Sequence, residues 1–357
     1  MVRDLDYLIV HTNASRKVYQ DLAESDSAIE TPIWAGLIHS ALRAKGFGVG
    51  ILDCEVLGLA SEASVAKILE FRCRIAVFVV YGQQPSASSQ NMSAATEVAE
   101  MLKEQDPEVF VIFVGGHVAA LPRQTLEKHP AIDACCTNEG IRALCSLGKV
   151  NLAKDLRQLK GICFRDSARE IIMNEADSPI EQKELEVWMP GVDWEAVNPN
   201  VGYRTAGWHS WSNNSDKEPF AAIYTSLGCP YKCSFCMINI INRSSNDQVD
   251  ASQMNGFRYW SPEFTVNQID KLVGLGVRNL KLADELFVLN PRHFIAICNL
   301  IIERGYDLNI WAYARVDTCK PEYLEVLRKA GVRWLGLGIE NPARERRALI
   351  HKEGFSD

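Results

Sequence analysis

The sequence predicts an α/β protein that combines a doubly wound parallel sheet with a second domain resembling part of a (β/α) barrel. Short apolar runs of strand length alternate with segments of helical apolar spacing through residues 1–145, and the alternation resumes in residues 219–357. Residues 146–218 between them are less regular and are interpreted as a connector. A chain of 357 residues is long enough for two domains, each with its own core.

Five strand-like runs define the first domain. They lie at 5–10, 47–52, 75–81, 109–114 and 131–136, with helices expected at 32–45, 64–71, 93–103 and 121–128. In the first of these helices Ile33, Leu37 and Leu42 recur at helical spacing, and Gly46 marks the end. A sheet of this kind binds ligands at the carboxyl ends of its strands, which is where polar and glycine-rich loops follow.

The second domain repeats the alternation. Strands are expected at 221–226, 279–283, 308–314 and 334–339, with helices at 263–275, 292–304 and 321–330. Polar residues again follow the strands, as at the active face of a (β/α) barrel. Within the connector, the stretches 160–165 and 170–174 predict a small hairpin.

Composition argues against several classes of protein. The formal net charge is −7 and no Lys/Arg cluster stands out, whereas a general nucleic-acid binder is basic. The longest apolar runs are strand-sized, so no membrane-spanning helix is expected. The N-terminal residues lack a signal-peptide pattern, and the eleven cysteines are an odd number. We therefore expect a cytoplasmic protein without disulfides.

The cysteines Cys229, Cys233 and Cys236 stand apart because they form a C-x3-C-x2-C motif in a loop after a strand. Several thiolates on one flexible turn can converge on an iron–sulfur core, and three ligands leave one iron open. A structural zinc site is an alternative, but zinc is normally four-coordinate, and the fourth ligand would have to be Cys298 or His293 on a helix far downstream. Three unrelated core cysteines are a second alternative.

The run 225–236 closely resembles the signature loop of radical S-adenosylmethionine (radical SAM) enzymes, and Phe235 is part of that signature. The resemblance implies that the three cysteines hold a four-iron–four-sulfur (4Fe-4S) cluster. It also implies that the open iron is chelated by the amino and carboxylate groups of S-adenosylmethionine. One electron then cleaves the sulfonium to a 5′-deoxyadenosyl radical.

The same resemblance assigns roles to polar residues at three later strand ends. Asp284 and Glu285 take the place of the family's acidic contact to the S-adenosylmethionine amino group. Arg315 would pair with the carboxylate of that cofactor, a contact suited to a guanidinium. Glu340 would reach its ribose or amino group.

The first domain resembles the cobalamin-binding domain that precedes many radical SAM domains. The loop Gly115-Gly116-His117 matches a typical loop of that domain, and residues 133–140 resemble the segment that follows it. The Asp-x-His-x-x-Gly pattern, whose histidine ligates cobalt in corrinoid methyltransferases, is not found. The resemblance therefore implies a cobalt without a protein ligand on its lower face, and His117 is expected to be a loop residue with no metal role.

Short polar groups after the third strand are candidates for contacts with the corrin amides or nucleotide tail; they are Gln83, Gln84, Ser86 and Ser88.

The resemblance implies an enzyme that methylates an unactivated carbon of a small molecule through the 5′-deoxyadenosyl radical and methylcobalamin. A radical cyclase or rearrangement enzyme with the same cofactors remains an alternative, as does a non-catalytic corrinoid- or metal-binding fragment. The expected partners are a small-molecule substrate and an external one-electron reductant, with no nucleic acid or membrane. A full radical SAM domain has about six strand–helix units by this resemblance, and about four are counted here. We therefore expect either a truncated form of a longer protein or a domain completed by another polypeptide.

Overall fold

A computed structural model of the chain describes residues 3–25, 27–82, 85–210, 217–245, 256–352 and 354. The described residues form two compact units. The first is drawn from Met1–Ala23, Trp34–Val197 and Met237–Asp250, and the second from Glu24–Ile33, Asn198–Cys236 and Ala251–Asp357. None of the described helices is both long enough and apolar enough to cross a membrane.

The first unit contains a seven-stranded sheet with the order β2-β1-β3-β4-β5-β6-β7. Its strands are β1 Leu5–His11, β2 Val49–Asp53, β3 Cys73–Val79, β4 Phe110–Val114, β5 Ala134–Cys136, β6 Ile162–Arg165 and β7 Ile171–Met173. Strands β1 to β5 are parallel, which confirms the predicted doubly wound sheet. The order reverses between β1 and β3, the position where sheets of this kind bind ligands.

The helices that precede the second sheet in the chain cover or flank these strands. They are α1 Ser15–Tyr19, α2 Leu22–Ser25, α3 Ile33–Ala44, α4 Ser61–Glu70, α5 Met92–Gln105, α6 Gly116–Ala120, α7 Pro122–Lys128, α8 Ile141–Leu147 and α9 Leu185–Trp188. In α3 the expected apolar positions Leu37 and Leu42 are buried. Gly46 follows the helix with a φ of 87°, a left-handed conformation that glycine adopts at low cost.

Two features of this unit differ from the prediction. The expected hairpin is present as β6 and β7, but it also extends the main sheet, because β6 pairs antiparallel with β5. The helix expected at 121–128 is present as α7, which begins at Pro122. A further short helix, α6, precedes it and is separated from it at Leu121, whose φ of −127° and ψ of 49° are not helical. The sequence analysis missed α6 and α8.

The second unit is built on a four-stranded parallel sheet with the order β13-β12-β11-β8, beside a two-stranded sheet of β9 and β10. The strands are β8 Phe220–Ile223, β9 Ser226–Leu227, β10 Arg258–Tyr259, β11 Asn279–Leu282, β12 Asn309–Arg315 and β13 Val332–Gly338. The helices are α10 Gly207–Ser210, α11 Pro262–Gly274, α12 Pro291–Glu303, α13 Pro321–Lys329 and α14 Arg344–Ala348. The predicted alternation of parallel strands and helices is confirmed.

One face of this sheet leads to the candidate site. Ala222, Lys281, Trp311 and Trp334 stand side by side in register across the four strands. Side chains two residues apart in a strand point to the same face, so Arg315, four residues after Trp311, lies on this face at the carboxyl end of β12.

Candidate cofactor sites

The cysteine loop follows β8, but the strand expected at 221–226 ends at Ile223. Ser226 and Leu227 instead pair antiparallel with β10. Gly228, with a φ of 82°, then turns the chain into the three cysteines.

The three thiols differ in exposure. Cys229 is buried, whereas Cys233 and Cys236 are partly exposed. The backbone N–H of Cys236 donates to the carbonyl of Cys233 at 3.1 Å, which closes the turn between them. Burial raises the pKa of the Cys229 thiol to about 12, and the nearby Cys236, Glu285 and Cys233 act in the same direction. Binding to a metal centre would reverse this balance, because a coordinated thiol is deprotonated.

Over the described ranges, no three His, Cys, Asp or Glu side chains lie close enough together to hold a single metal ion. A four-iron cluster is larger than one ion, and its thiolates stand farther apart. The two candidates for a fourth zinc ligand are engaged elsewhere. The His293 ring donates to the Trp260 carbonyl at 2.9 Å, and Cys298 is buried on α12.

Arg315 lies directly beside the cysteine loop. Its guanidinium is 3.8 Å from the centroid of the Tyr231 ring, and Nη1 is 3.6 Å from Sγ of Cys233. Two further nitrogens, Nε and Nη2, donate to the Asp317 carboxylate at 2.8 and 2.9 Å.

Asp284 joins the end of β11 to the start of the cysteine loop. It is fully buried, and its oxygens accept hydrogen bonds from Thr225 N at 2.6 Å, Thr225 Oγ1 at 2.5 Å and Ser226 Oγ at 2.6 Å. Thr225 is thus bonded to Asp284 and Ser226 pairs with β10, so these residues do not continue β8. In this structure Asp284 therefore positions the loop, and its expected contact with a cofactor remains a prediction.

The sequence analysis assigned no role to Thr225 or Ser226. The signal that could have found them is a pair of hydroxyl residues before the loop, matched by an acidic residue at the end of the neighbouring strand.

Glu285 carries the most unusual carboxylate of the site. Burial and the neighbouring Asp284 raise its pKa to about 7. Its Oε1 is buried and has no hydrogen-bond partner among the described residues. A buried polar atom without a partner costs free energy, and an ammonium group would remove that cost. Glu285 also acts electrostatically on Cys229, which places its charge near the cysteine loop.

The remaining predicted residues of the second unit lie nearer the surface. Phe235 is 56% exposed. Glu340 follows β13 with a φ of 65°, and its Oε1 accepts a hydrogen bond from Lys352 Nζ at 2.7 Å. The structure thus places Arg315 in contact with Cys233 and shows electrostatic effects of Cys233 and Glu285 on Cys229, while Glu340 is paired with a lysine.

A buried ion pair lies on the same sheet face as Arg315, nearer the middle of the strands. Lys281 is 1% exposed, and its Nζ donates to both oxygens of Glu30 at 2.9 and 2.8 Å. The same ammonium lies 4.6 Å from the centroid of the Trp311 ring. Sequence analysis missed this pair because its members are far apart in the chain and neither belongs to a motif.

In the first unit, the predicted glycine loop follows β4. A Cβ added at Gly115 would lie 2.7 Å from the Val80 carbonyl oxygen, so only glycine allows this approach to the end of β3. The backbone N–H of His117 donates to Ser88 Oγ at 3.0 Å, and its Nδ1 is 2.8 Å from Ser89 Oγ. Burial lowers the pKa of His117, which favours its neutral form. Gln83, Gln84 and the Ser86 side chain lie outside the described residues.

A second polar cluster at this edge was not anticipated. His11 ends β1 and Asp53 ends β2, and their side chains meet at 3.0 Å between Nδ1 and Oδ1. Glu55 Oε2 lies 4.0 Å from the other ring nitrogen. Burial alone would lower the pKa of His11, but the charge and hydrogen bond of Asp53 outweigh it and raise that pKa to about 9. The group is therefore an imidazolium held by two carboxylates.

Both units match known families. Residues 20–147 match the B12 binding domain, and residues 223–357 match the radical SAM superfamily. These matches confirm the cofactors expected from the sequence, which are cobalamin for the first domain, and S-adenosylmethionine with a 4Fe-4S cluster for the second.

Among the relatives, an uncharacterized methyltransferase of Pyrococcus horikoshii is 25% identical over 261 residues, covering 72% of this chain and 50% of the relative. An anaerobic magnesium-protoporphyrin IX monomethyl ester cyclase of Cereibacter sphaeroides is 27% identical over 332 residues, covering 90% and 49%. The cobalamin-dependent radical SAM methyltransferase TokK of Streptomyces tokunonensis is 24% identical over 232 residues, covering 64% and 31%. The chain thus spans about half the length, or less, of these relatives.

A solved structure has the same fold. The cobalamin-dependent S-adenosylmethionine radical enzyme OxsB, with aqua-cobalamin bound, superposes with a TM-score of 0.70 at 18% identity. The superposition covers 99% of this chain and 46% of OxsB. The predicted α/β fold class is confirmed.

Proposed function

Because the chain belongs to the radical SAM proteins that carry a B12-binding domain, we propose that it methylates an unactivated carbon of a small molecule. The observation that carries this proposal is the occurrence, in one chain, of a B12-binding match and a radical SAM match that contains the three-cysteine loop. When bound, the cluster and S-adenosylmethionine supply the radical that removes a hydrogen atom, and cobalamin supplies the methyl group.

The protein's contribution in the second domain is binding and orientation. Cys229, Cys233 and Cys236 would hold three irons of the cluster and leave the fourth for S-adenosylmethionine. The unpaired Oε1 of Glu285 suits the amino group of that cofactor, and Arg315 lies where a carboxylate beside Cys233 would meet its charge. Asp284 would act indirectly, by holding the start of the cysteine loop through Thr225 and Ser226.

Three further contacts are proposed for the two domains. Phe235 would cover the cluster, and Glu340 would reach the ribose or amino group after exchanging its bond with Lys352. In the first domain, Gly115, Gly116 and His117 would contact the corrin. The polar groups that follow β3 would complete this site; they are Gln83, Gln84 and Ser86.

The domain boundaries, partners and location are also proposed. The division into a cobalamin domain at 1–145, a connector at 146–218 and a radical SAM domain at 219–357 remains a proposal. So do a small-molecule substrate, an external one-electron reductant and a cytoplasmic location.

A second candidate function is radical cyclisation with the same cofactors. It is favoured by one observation, the similarity to a cyclase that extends over 90% of the chain. The two functions differ in the fate of the methyl group of S-adenosylmethionine, since methyl transfer moves it and cyclisation does not.

The test therefore follows that methyl group. The anaerobically reconstituted chain is loaded with hydroxocobalamin and given a strong reductant and S-adenosylmethionine labelled in its methyl group. Methylation predicts label in the corrin fraction, and it predicts that Cys229→Ala, Cys233→Ala and Cys236→Ala abolish formation of 5′-deoxyadenosine. Formation of 5′-deoxyadenosine with no label on the corrin would favour cyclisation instead.

A further inference from the structure

The segment that follows the third cysteine is anchored more firmly than the cysteine loop itself. Cys236 is the last residue of a stretch that belongs to the second unit, and Met237 begins a stretch that belongs to the first. A 3₁₀ turn over Ile238–Asn242 follows at once. All five of its residues are buried, with exposures between 2% and 6%. The turn packs against α6, so the chain is fixed directly after a partly exposed ligand position.

Arg243 forms the strongest part of this anchor. It is 4% exposed, and its Nη1 donates to the Ala119 carbonyl at 2.6 Å. Its Nε donates to the Ser245 carbonyl at 2.7 Å, while its own carbonyl accepts from Asn138 Nδ2 at 3.3 Å. Ala119 is in the last turn of α6, where carbonyls lack helical partners and a positive charge is favourable. Arg243 therefore caps α6 and holds the turn against it.

The other end of α6 is the glycine loop. The helix begins at Gly116, directly after Gly115, and the His117 N–H is fixed by Ser88 Oγ at 3.0 Å. With only five residues, α6 cannot move at one end without moving at the other. The proposed corrin contacts and the Arg243 cap are thus two ends of one short rigid element.

We propose that Arg243 is a positioning residue that couples the two cofactor sites. By joining α6 to the segment that begins after Cys236, it makes corrin binding at the glycine loop stabilise the position of the third cluster ligand. Cluster assembly must then strengthen corrin binding by the same factor, because such coupling is reciprocal. This inference rests on the proposed function, which places cobalamin and the cluster at these residues.

The experiment compares corrin affinity in two states of the full chain. Hydroxocobalamin is titrated into protein that carries a reconstituted cluster, and into the same protein after the cluster has been removed by chelation. The expected result is an affinity about 5- to 150-fold higher with the cluster present, the usual range for coupled sites. The electron paramagnetic resonance spectrum of the reduced cluster should also change when hydroxocobalamin is added.

Three variants locate the coupling. Arg243→Ala should bring the ratio of the two affinities close to one and remove the spectral response, and Arg243→Lys should give an intermediate ratio because it keeps the charge but loses the second donor. Arg165→Ala is the matched control. Arg165 also donates from Nη2 to a helix carbonyl of the same unit, that of Leu126 in α7, but lies outside the segment after Cys236. This control should retain the wild-type ratio.

The possible failures are distinguishable. Wild-type protein that binds both cofactors with the same corrin affinity in both states would overturn the coupling while leaving the proposed function intact. A ratio unchanged in Arg243→Ala would overturn the role of Arg243. Wild-type protein that takes up no corrin or no cluster would overturn the proposed function and this inference with it. If Arg243→Ala does not fold, the wild-type ratio and Arg243→Lys still decide the question.

Discussion

Replacing Asp284 by asparagine tests how the cysteine loop is positioned. The carboxylate accepts three hydrogen bonds, at 2.6, 2.5 and 2.6 Å, from Thr225 and Ser226. Asparagine keeps the shape but presents an NH2 group to at least one of these donors. Each hydrogen bond to a charged acceptor contributes about 1.5–3 kcal/mol, and loss of such bonds leaves buried donors unpaired. The cost of burying the charge, which raises the pKa of Asp284, offsets part of this loss.

We expect Asp284→Asn to lower the free energy of unfolding by about 3 kcal/mol. This is equivalent to a fall in melting temperature of about 6–12 °C for a domain of this size. The assay is thermal unfolding of the chain, together with the iron content after anaerobic reconstitution, which should also fall. Asp270→Asn is the control, because Asp270 is partly exposed where it pairs with Arg304 and accepts from the Tyr306 hydroxyl, and this change should alter stability by about 1 kcal/mol or less. An Asp284→Asn variant that melts and loads iron like the wild type would refute the assigned role.

Three further outcomes are expected. The pKa of His11 in the folded state, about 9, lies above its ordinary value. Its contribution to the free energy of unfolding, roughly 3 kcal/mol, is therefore complete below about pH 6.5 and is lost as pH rises through 9. Urea unfolding should show this loss in the wild type and not in His11→Gln. Lys281→Met should lower the free energy of unfolding by about 3–5 kcal/mol because it leaves Glu30 buried without this partner, and adding Glu30→Gln should restore much of the stability. An unchanged urea midpoint in Lys281→Met would contradict the stabilising role of the pair. Gly115→Ala places a Cβ 2.7 Å from a carbonyl oxygen and should weaken hydroxocobalamin binding at least about tenfold, equivalent to ~1.4 kcal/mol; unchanged titration would argue against this loop.

Local patterns predicted most of the fold because they depend on neighbours in the chain. Apolar spacing placed α3 and the strands of both sheets close to their observed bounds. The pattern failed to show α6, whose five residues begin within the glycine loop and are too few to give a helical period. It also failed to show that β6 extends the main sheet, since backbone pairing between β5 and β6 leaves no side-chain signature.

In the candidate site, too, residues in local motifs could be proposed from the sequence, whereas contacts between distant residues could not. The cysteine spacing is a local signal, so Cys229, Cys233 and Cys236 could be proposed as cluster ligands from the sequence, and that assignment stays a prediction. The acidic pair could be proposed as well, but the different partners of its members could not. Asp284 is satisfied by hydroxyls that lie 58 and 59 residues away, whereas one oxygen of Glu285 has no hydrogen-bond partner in the described part of the chain. Distinctions of this kind depend on which strand ends meet in space, and local sequence patterns do not show that.

The central claim is that one chain holds both a radical SAM cluster and a corrin, and cofactor stoichiometry after anaerobic reconstitution tests it most directly. The chain is purified without oxygen, supplied with iron, sulfide and hydroxocobalamin, and analysed for metals and absorption. The account predicts about four irons and one cobalt per wild-type chain, with the iron lost when Cys229, Cys233 and Cys236 are changed to alanine. Zinc in place of iron in the wild-type chain, with no corrin retained, would contradict it.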